Sequence, residues 1–430
     1  MPQATDTTLQ HITRALRHRN YQLFFGGQLI SLTGTWMQQI AQSWLVYRLT
    51  RSSELLGLVA FAGQIPVLVF APIGGAVADR GHRHGIVVWT QTLSMILAFA
   101  LAALTLTGAV RVWEVFALAA MLGLVNAFDM PARQAFIQEM VGREDLMNAI
   151  ALNSTLVNGA RVVGPAAAGA LVAAVGEGWC FFLNGISFVA VIAGLLMMNV
   201  PRVERERSNR SAIADILEGF TYVHQTAPIR AVLVLLGIVS LTAMPYSVLM
   251  PVFADQILHG GSKTLGLLTS ASAVGALIGA ISLAARKGVR GLGRWIAVST
   301  FAFGGSLILF AWSQSLWASM TTLVLVGGAM MAQMAASNTV IQAMSPDALR
   351  GRVMSVYSMM FMGMGPFGAL FAGATAERLG APATVSIGGA ACLIAGIIFA
   401  SRLPALRGPA RQLVVAQQFV GGDPPEEMAG

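Results

Sequence analysis

Two short runs of the sequence, Ile137-Gln138-Glu139-Met140 and Ile341-Gln342-Ala343-Met344, repeat each other, and each precedes a Gly-Pro pair. The pairs are Gly164-Pro165 and Gly365-Pro366, so the two copies stand 204 and 201 residues apart in a chain of 430 residues. A repeat at about half the length of a mainly apolar chain predicts two related halves. Duplicated helical halves around a central site are typical of secondary transporters.

The composition indicates a membrane protein. Hydrophobic residues make up 56% of the chain and charged residues 11%, with a mean hydropathy of +0.69, whereas soluble domains carry about 25% charged residues. The net charge of +8 does not indicate a nucleic-acid partner, because the basic residues alternate with apolar segments instead of forming one face. The two cysteines lie in separate apolar segments, so neither a disulfide framework nor a metal site is expected.

Twelve apolar segments are long enough to cross about 30 Å of hydrocarbon as helices. The predicted spans are residues 22–47, 55–78, 86–107, 112–130, 148–175, 179–200, 230–254, 264–285, 293–313, 316–340, 353–376 and 383–402. With the N-terminus in the cytoplasm, 21 Arg and Lys residues fall on the cytoplasmic side and 5 on the other, and Arg161 lies within a span. Positive side chains concentrate on the cytoplasmic side of membrane proteins. We therefore expect both termini in the cytoplasm.

Four regions follow from these spans. They are an N-terminal six-helix bundle (1–200), a connection (201–229), a C-terminal six-helix bundle (230–403) and a tail (404–430). The connection carries apolar residues at helical spacing from Ile213 to Val223, after Ser211, a residue type that caps helices. It is either an amphipathic helix on the cytoplasmic membrane surface or a linker helix that joins the bundles. The tail is rich in Gly, Pro and Gln, and we expect it to be disordered.

The boundary between the second and third spans carries a distinctive segment, which we call the signature segment. It reads Gly74-Gly75-Ala76-Val77-Ala78-Asp79-Arg80-Gly81-His82-Arg83-His84. It resembles the Gly-x-x-x-Asp-Arg/Lys-x-Gly-Arg-Arg/Lys signature of the major facilitator superfamily, and the resemblance covers about residues 20–403. The resemblance implies an all-α integral membrane protein with twelve transmembrane helices in two pseudo-symmetric six-helix bundles, the major facilitator fold.

The carboxylate of this segment has two interpretations. Asp79 can accept hydrogen bonds at a helix N-terminus and pair with basic residues, which would latch the two halves on the cytoplasmic side. Alternatively, the loop only fixes the topology through its arginines. The second half has Leu283 in place of the aspartate, so it should latch weakly or not at all. The predicted cytoplasmic gate consists of Gly75, Asp79, Arg80, Arg83, Asp129, Arg133, Arg350 and Arg352.

The fifth span carries a Gly-Pro motif formed by Arg161, Gly164, Pro165 and Gly169. Proline removes a helix hydrogen bond and glycines allow close packing, so this segment can bend. The motif is similar to one in drug-exporting members of the superfamily, which implies export. Arg161 is costly at this depth. It either faces the cavity and meets an anionic substrate group, or it is a structural arginine paired with an acid or backbone carbonyls.

A longer set of segments narrows the resemblance. The runs Asp129-Met130-Pro131-Ala132-Arg133, Arg350-Gly351-Arg352-Val353-Met354, Trp44-Leu45-Val46-Tyr47 and Glu218-Gly219-Phe220 resemble the subfamily of the bacterial enterobactin exporter and related effector permeases. This resemblance implies export from the cytoplasm without fixing the substrate.

Polar residues within the spans are the remaining candidates for a site. Asp129 ends the fourth span, where it either carries the coupling proton or pairs with Arg133 or Arg80 to support the gate. Amides and aromatic rings in an apolar cavity suit molecules of mixed polarity. The predicted cavity residues are Gln28, Trp36, Gln39, Tyr246, Gln333 and Asn338.

These features predict a secondary active exporter of the bacterial inner membrane. It should move a small amphiphilic molecule, drug-like or siderophore, out of the cytoplasm by alternating access, and the family resemblance implies that proton antiport supplies the energy. The expected partners are the substrate, protons and the lipid bilayer, with no cofactor, no nucleic acid and a monomeric state. The chain lacks a Gly-x-x-x-x-Gly-Lys-Ser/Thr sequence for binding ATP. Its sequence also lacks the paired nucleophile and base that an intramembrane enzyme would need. The alternatives are a lipid or lysolipid transporter and a non-transporting sensor of the same fold.

Overall fold

The computed structural model of the chain describes residues 13–142, 144–200, 212–286 and 288–421. This part of the chain is helical and contains no β-strand, as expected where lipid leaves the backbone no hydrogen-bond partners but its own. The first-half helices are α1 (Arg19–Thr50), α2 (Ser53–Arg80), α3 (Arg83–Leu106), α4 (Val112–Val141), α5 (Leu146–Val175) and α6 (Glu177–Leu196).

The remaining helices begin at residue 212. Helix α8 (Ala227–Thr242) is followed by 3₁₀, α and π turns over Met244–Leu249, Met250–Val252 and Phe253–Ile257, where Pro245 and Pro251 interrupt the regular hydrogen bonds. The helices are α7 (Ala212–Gln225), α8 (Ala227–Thr242), α9 (Gly261–Ala284), α10 (Leu292–Ala311), α11 (Leu316–Met344), α12 (Asp347–Phe361), α13 (Met364–Leu379) and α14 (Ala381–Gly421).

Eleven helical segments in the described part of the chain are long and apolar enough to cross a membrane. Two of them, Ala227–Ile257 and Asp347–Leu379, combine neighbouring elements. Helix α1 is not among the eleven, although its 32 residues are sufficient in length, because the glutamine side chains in its middle, such as Gln28, Gln38 and Gln39, lower its hydropathy. With α1 included, the described helices correspond to the twelve predicted spans.

The contacts divide the chain into two compact units. Unit 1 comprises Met1–Arg51, Ala62–Ser208 and Gly260–Ser270, and unit 2 comprises Ser52–Phe61, Asn209–His259 and Ala271–Gly430. The first turns of α2 therefore belong to unit 2, and those of α9 belong to unit 1. The domain limits inferred from the sequence stay predictions.

Facing glycines bring helix backbones together within each unit. In unit 2, a Cβ on Gly57 of α2 would lie 3.0 Å from the Cα of Gly373 on α13. In unit 1, a Cβ on Gly266 of α9 would lie 3.0 Å from the Cα of Gly169 on α5. Small residues allow this approach between membrane helices, so the two contacts explain why the starts of α2 and α9 pack as they do.

Aromatic side chains fill the core of each unit. In unit 1, Tyr21 and Phe136 are fully buried, and the Tyr21 hydroxyl donates to the carbonyl oxygen of Ala149 at 2.8 Å. In unit 2, the rings of Phe253 and Phe310 lie 4.5 Å apart between centroids. These contacts hold together the helices that carry the polar residues of each unit.

The fourth helix is longer than predicted. The sequence suggests a span that ends at residue 130, whereas α4 continues to Val141 with Pro131 inside it. The added residues include Phe136, Ile137 and Met140, which are buried and keep the segment in the core. Asp129 therefore lies twelve residues inside a helix rather than at its end.

Two other segments differ from their predictions. The eleventh span consists of two helices, α12 and α13, separated at Met362-Gly363. The tail that was expected to be disordered is helical as far as Gly421, because α14 runs on through Pro404 and Pro409. Its Ala, Arg, Gln and Leu residues favour a helix. Residues 422–430 lie outside the described part.

The connection between the halves is only partly described. Residues 201–211, with Ser211, lie outside the described residues, as does Lys287. Helix α7 packs on α12 in unit 2, where a Cβ on Gly219 would lie 2.6 Å from the carbonyl oxygen of Arg352.

Candidate transport site

A buried carboxylate lies within α4 of unit 1. Asp129 is 2% exposed, and its Oδ1 accepts hydrogen bonds from Thr90 Oγ1 at 2.7 Å and from Gln91 Nε2 at 2.9 Å. Both donors come from α3. A charge within a membrane-spanning helix is costly and usually functional, so Asp129 is the first candidate for chemistry within the membrane.

Arg133, one turn further along α4, balances the charge of Asp129. Its Nη2 lies 2.7 Å from Asp129 Oδ2, and its Nη1 donates to Gln28 Oε1 at 3.1 Å. Of the two arginines that the sequence offered as partners for Asp129, Arg133 is the one in contact. Its side chain is 25% exposed, so one end of this otherwise buried pair reaches the protein surface.

Gln28 connects this arrangement to α1. It is 2% exposed, and no acceptor among the described residues binds its Nε2. We call Gln28, Thr90, Gln91, Asp129 and Arg133 the polar cluster. The cluster joins α1, α3 and α4, and it contains one free buried donor and one ion pair.

A second polar contact in unit 1 lies between α1 and α5. The guanidinium carbon of Arg161 is 5.7 Å from the centre of the Trp36 ring, within the range of cation–π attraction. One turn after Arg161, a Cβ on Gly164 would lie 2.6 Å from Trp36 Cβ. Glycine at this position therefore lets α1 approach α5 closely enough for the ring and the cation to meet.

Arg83 fastens the signature segment to α4. Its Nη1 donates to the carbonyl oxygen of Ala135 at 3.2 Å and to Glu139 Oε1 at 3.0 Å, and its Nε donates to the carbonyl oxygen of Ala78 at 3.2 Å. The Arg83 side chain is only 15% exposed. Glu139 is the residue at which the two copies of the repeated run differ, since Ala343 replaces it in the second half.

Asp79 is the exposed member of the same arrangement. Its side chain is 75% exposed and lies 3.5 Å from Arg83 Nη2, and Arg80 beside it is also exposed. A Cβ on Gly75 would have no atom within 4 Å, whereas a Cβ on Gly74 would overlap the carbonyl oxygen of Ala127. Tight packing between α2 and α4 thus falls on Gly74, and Gly75 takes no part in it.

The predicted gate arginines of the second half make contacts near their own helix. Arg350 Nη2 lies 2.6 Å from Asp347 Oδ1 on α12. Arg352 forms an ion pair with Glu218 of α7. The Arg352 contact ties the connecting helix to unit 2.

The other residues predicted to line the cavity have different hydrogen-bond partners and different exposure. In unit 2, Tyr246 Oη and Ser272 Oγ share a hydrogen bond of 2.7 Å, and Asn338 Oδ1 accepts from the side chain of Gln342 at 2.6 Å. Gln333 is 1% exposed, and its Nε2 has no partner among the described residues. In unit 1, Gln39 is exposed on α1.

An ionic contact secures the start of α5 outside the membrane-spanning part. Asp145 Oδ2 lies 2.8 Å from His18 Nε2, and its Oδ1 lies 2.7 Å from Arg14 Nε. The hydrogen bond from His18 lowers the pKa of Asp145 below its usual value, and Arg14 adds to this effect, while partial burial opposes it.

The sequence of the chain also matches a known protein family. Residues 13–419 match the model of a major facilitator family described as transmembrane secretion effectors. The chain belongs to this family. The sequence-based assignment to the exporter branch of the superfamily is therefore confirmed.

Curated relatives of this secretion-effector chain are transporters and pumps. It is 25% identical to the staphyloferrin A transporter of Staphylococcus aureus over 87% of this chain and 94% of the relative. It is 29% identical to the multidrug efflux pump Tap of Mycolicibacterium fortuitum, with 86% and 91% covered. It is 24% identical to the enterobactin exporter EntS of Shigella boydii, with 91% and 93% covered.

Solved structures support the fold of the secretion-effector chain. The crystal structure of the nucleoside transporter NupG matches with a TM-score of 0.69 at 13% identity, and the match covers 90% of this chain and 99% of NupG. At this identity the match concerns the fold alone, and it confirms the predicted all-α major facilitator architecture.

Sequence reasoning missed several contacts of the secretion-effector chain. The structure brings three predicted residues, Gln28, Asp129 and Arg133, into one cluster, and it adds Thr90 and Gln91, which were not predicted. Two adjacent polar residues inside an apolar span were the available signal. Glu139 was visible as the difference between the repeated runs, but its pairing with Arg83 depends on the length of α4.

Proposed function

We propose that the chain is a secondary active exporter that moves a small amphiphilic molecule out of the cytoplasm. Alternating access, with protons moving in the opposite direction, supplies the mechanism. Support comes from membership of the secretion-effector family and from relatives named as an enterobactin exporter and a multidrug efflux pump. Drug-like compounds and siderophores are accordingly the substrate classes to test first.

The polar cluster is the observation that carries proton coupling. Asp129 is buried, is paired with one cation and lies within a membrane-spanning helix. Its protonation would abolish the ion pair and release Arg133, which also contacts Gln28 on another helix. A proton bound at Asp129 would thereby change contacts among α1, α3 and α4, which is what coupling between a proton and a conformational change requires.

We assign the cytoplasmic gate to the signature segment. The side chain of Arg83 is held by α4 and also donates to Asp79 at 3.5 Å. Asp79 stays exposed, so it can accept further hydrogen bonds in another state of the transport cycle. The open space beside Gly75 would admit a neighbouring helix in that state. Arg80 and the arginines of α12 complete the proposed cytoplasmic gate.

The proposed location and orientation of the protein follow from the distribution of its charged residues. The bacterial inner membrane is the proposed location, with the arginine-rich ends of the helices and both termini in the cytoplasm. The proposed working unit is a monomer in direct contact with lipid. Its apolar exposed side chains, such as Leu29, Ile96 and Leu325, suit that environment.

Flux measurements in sealed proteoliposomes test this function. The panel contains a lipophilic cation dye, a catecholate siderophore and a neutral amphiphile, each measured under an imposed pH gradient and in protein-free liposomes. We expect movement of at least one compound that reverses with the gradient and stops when the gradient is collapsed. Binding without such flux would contradict the proposal and favour a sensor. Gradient-independent movement of a lipid analogue would favour a lipid transporter.

A further inference from the structure

A polar stripe runs along one face of α5. Ser154, Asn158 and Arg161 follow each other at spacings of four and three residues, which places them on the same side of a helix. Arg161 lies near the midpoint of this helix, which extends from Leu146 to Val175. None of the three is buried. A polar, accessible stripe at this depth indicates a water-filled surface rather than contact with lipid.

Arg161 has donors that the protein does not use. A guanidinium group carries five N–H donors, but no carboxylate or carbonyl among the described residues accepts a hydrogen bond from Arg161. The guanidinium carbon of Arg161 instead lies 5.7 Å from the centre of the Trp36 ring. Arg133, the arginine of α4, differs because Asp129 and Gln28 both receive its donors. The structural interpretation of Arg161, which needs an acid or carbonyl partner, therefore lacks that partner.

The facing part of α1 offers complementary groups. Trp36 is partly exposed, and Gln39, one turn further along the same face, is exposed. Gly164 holds this stretch of α1 against α5. An aromatic surface, a cation with free donors and an amide thus lie on neighbouring turns of two packed helices within unit 1.

We propose that Arg161 and Trp36 form a subsite for an anionic aromatic group, such as an aryl carboxylate or a deprotonated catechol. The guanidinium donates paired hydrogen bonds to the anion, a geometry that suits carboxylates, while the aryl ring packs against the indole. This assignment rests on the proposed export function and names the substrate class that the exporter prefers: amphiphiles with a negative charge next to an aromatic ring.

A matched pair of fluorescent substrates tests the subsite. The probes are a coumarin carboxylate and its methyl ester, which differ in charge but share the ring. Proteoliposome efflux is compared for the wild type, Arg161→Gln, Arg161→Lys, Trp36→Phe and Trp36→Leu. The matched control is Arg402→Gln, which removes an exposed arginine outside the site. Monodispersity and thermal melting verify that each variant is folded.

The expected pattern separates charge from ring packing. Arg161→Gln should slow efflux of the carboxylate about tenfold, the loss expected for one charge-assisted contact, and leave the ester nearly unchanged. Arg161→Lys should recover part of the carboxylate flux. Trp36→Leu should slow both probes, and Trp36→Phe should slow them less. Equal losses of both probes in Arg161→Gln would overturn the assignment.

Equilibrium binding separates this inference from the export function. Fluorescence polarisation of the same probes measures affinity in detergent, where no gradient is needed. Tighter binding of the carboxylate than of the ester, abolished in Arg161→Gln, would support the subsite even if no efflux occurred and the export function failed. Equal affinity of the wild type for both probes would overturn the subsite even if efflux were observed.

Discussion

Asp129 shows what the sequence reveals about a single residue and what it does not. Its type and its position in an apolar segment mark it as a candidate for chemistry, and its pairing with Arg133 follows from their spacing on one helix. Its burial depends on α4 continuing past Pro131 to Val141. The partners Thr90 and Gln91 come from another helix. Local patterns do not contain such packing.

At the same scale, Asp79→Asn should lower transport while the protein stays folded. Arg83 keeps its contacts with Ala78, Ala135 and Glu139 in this variant, so the loop should remain in place. The removed charge is 75% exposed and contributes little to stability. Flux in proteoliposomes is measured beside Glu144→Gln, the loss of another exposed acid. Unchanged flux in Asp79→Asn would disprove the latch.

Asp145→Asn should reveal a stability contribution that disappears in acid. The folded state lowers the pKa of Asp145 through His18 and Arg14, so its stabilising effect is present above the ordinary aspartate pKa of about 3.9. The effect is lost as the pH falls through the lower folded pKa. Thermal melting should show the variant less stable at pH 7 and equal to the wild type at the acid end. A difference that persists there would contradict this account.

The membrane-spanning helices were easier to predict than the turns and breaks that interrupt them. The lengths of most spans follow from hydropathy, because about 20 apolar residues are needed to cross the bilayer. The turns after α8 and the break between α12 and α13 were not predicted. These features depend on which backbone groups find partners in neighbouring helices. The close glycine contacts of α2 with α13, and of α5 with α9, likewise need both helices to be visible.

Neighbouring glycines on α2 provide a test of helix packing. Gly74→Ala should lower the free energy of unfolding by about 1–3 kcal/mol, as overpacking does, because the new methyl group meets the carbonyl oxygen of Ala127. Gly75→Ala is the matched control, since no atom lies within 4 Å of its added methyl group. Denaturant titration in detergent measures both variants. Equal stability of the two variants would contradict the packing described for α2 and α4.

The start of α2 has an unusual cap. Glu377 of α13 accepts hydrogen bonds at one oxygen from Ser52 Oγ at 3.0 Å, from the Ser53 amide at 2.7 Å and from the Glu54 amide at 3.2 Å. Glu377→Ala should cost about 1 kcal/mol of unfolding free energy, as loss of a helix cap does. Glu377→Gln, which keeps an acceptor oxygen, should cost less. An alanine variant as stable as the wild type would show that the cap is not used.

At the scale of the whole molecule, the repeated runs predict the duplication, and we propose that the differences between the copies mark the residues on which transport depends. The first half has Asp79 and Glu139, and the second half has Leu283 and Ala343. Both carboxylates contact Arg83. The polar cluster also belongs to the first half. Steps of transport that need a carboxylate side chain should therefore depend on the first half more than on the second.

The central claim is that Asp129 couples protons to export, and the most direct test compares two modes of transport in Asp129→Asn. Exchange of labelled for unlabelled substrate across proteoliposomes at equal pH needs no net proton movement, whereas accumulation under a pH gradient does. The account predicts that the variant retains exchange and loses gradient-driven accumulation. Gradient-driven accumulation equal to that of the wild type would contradict it.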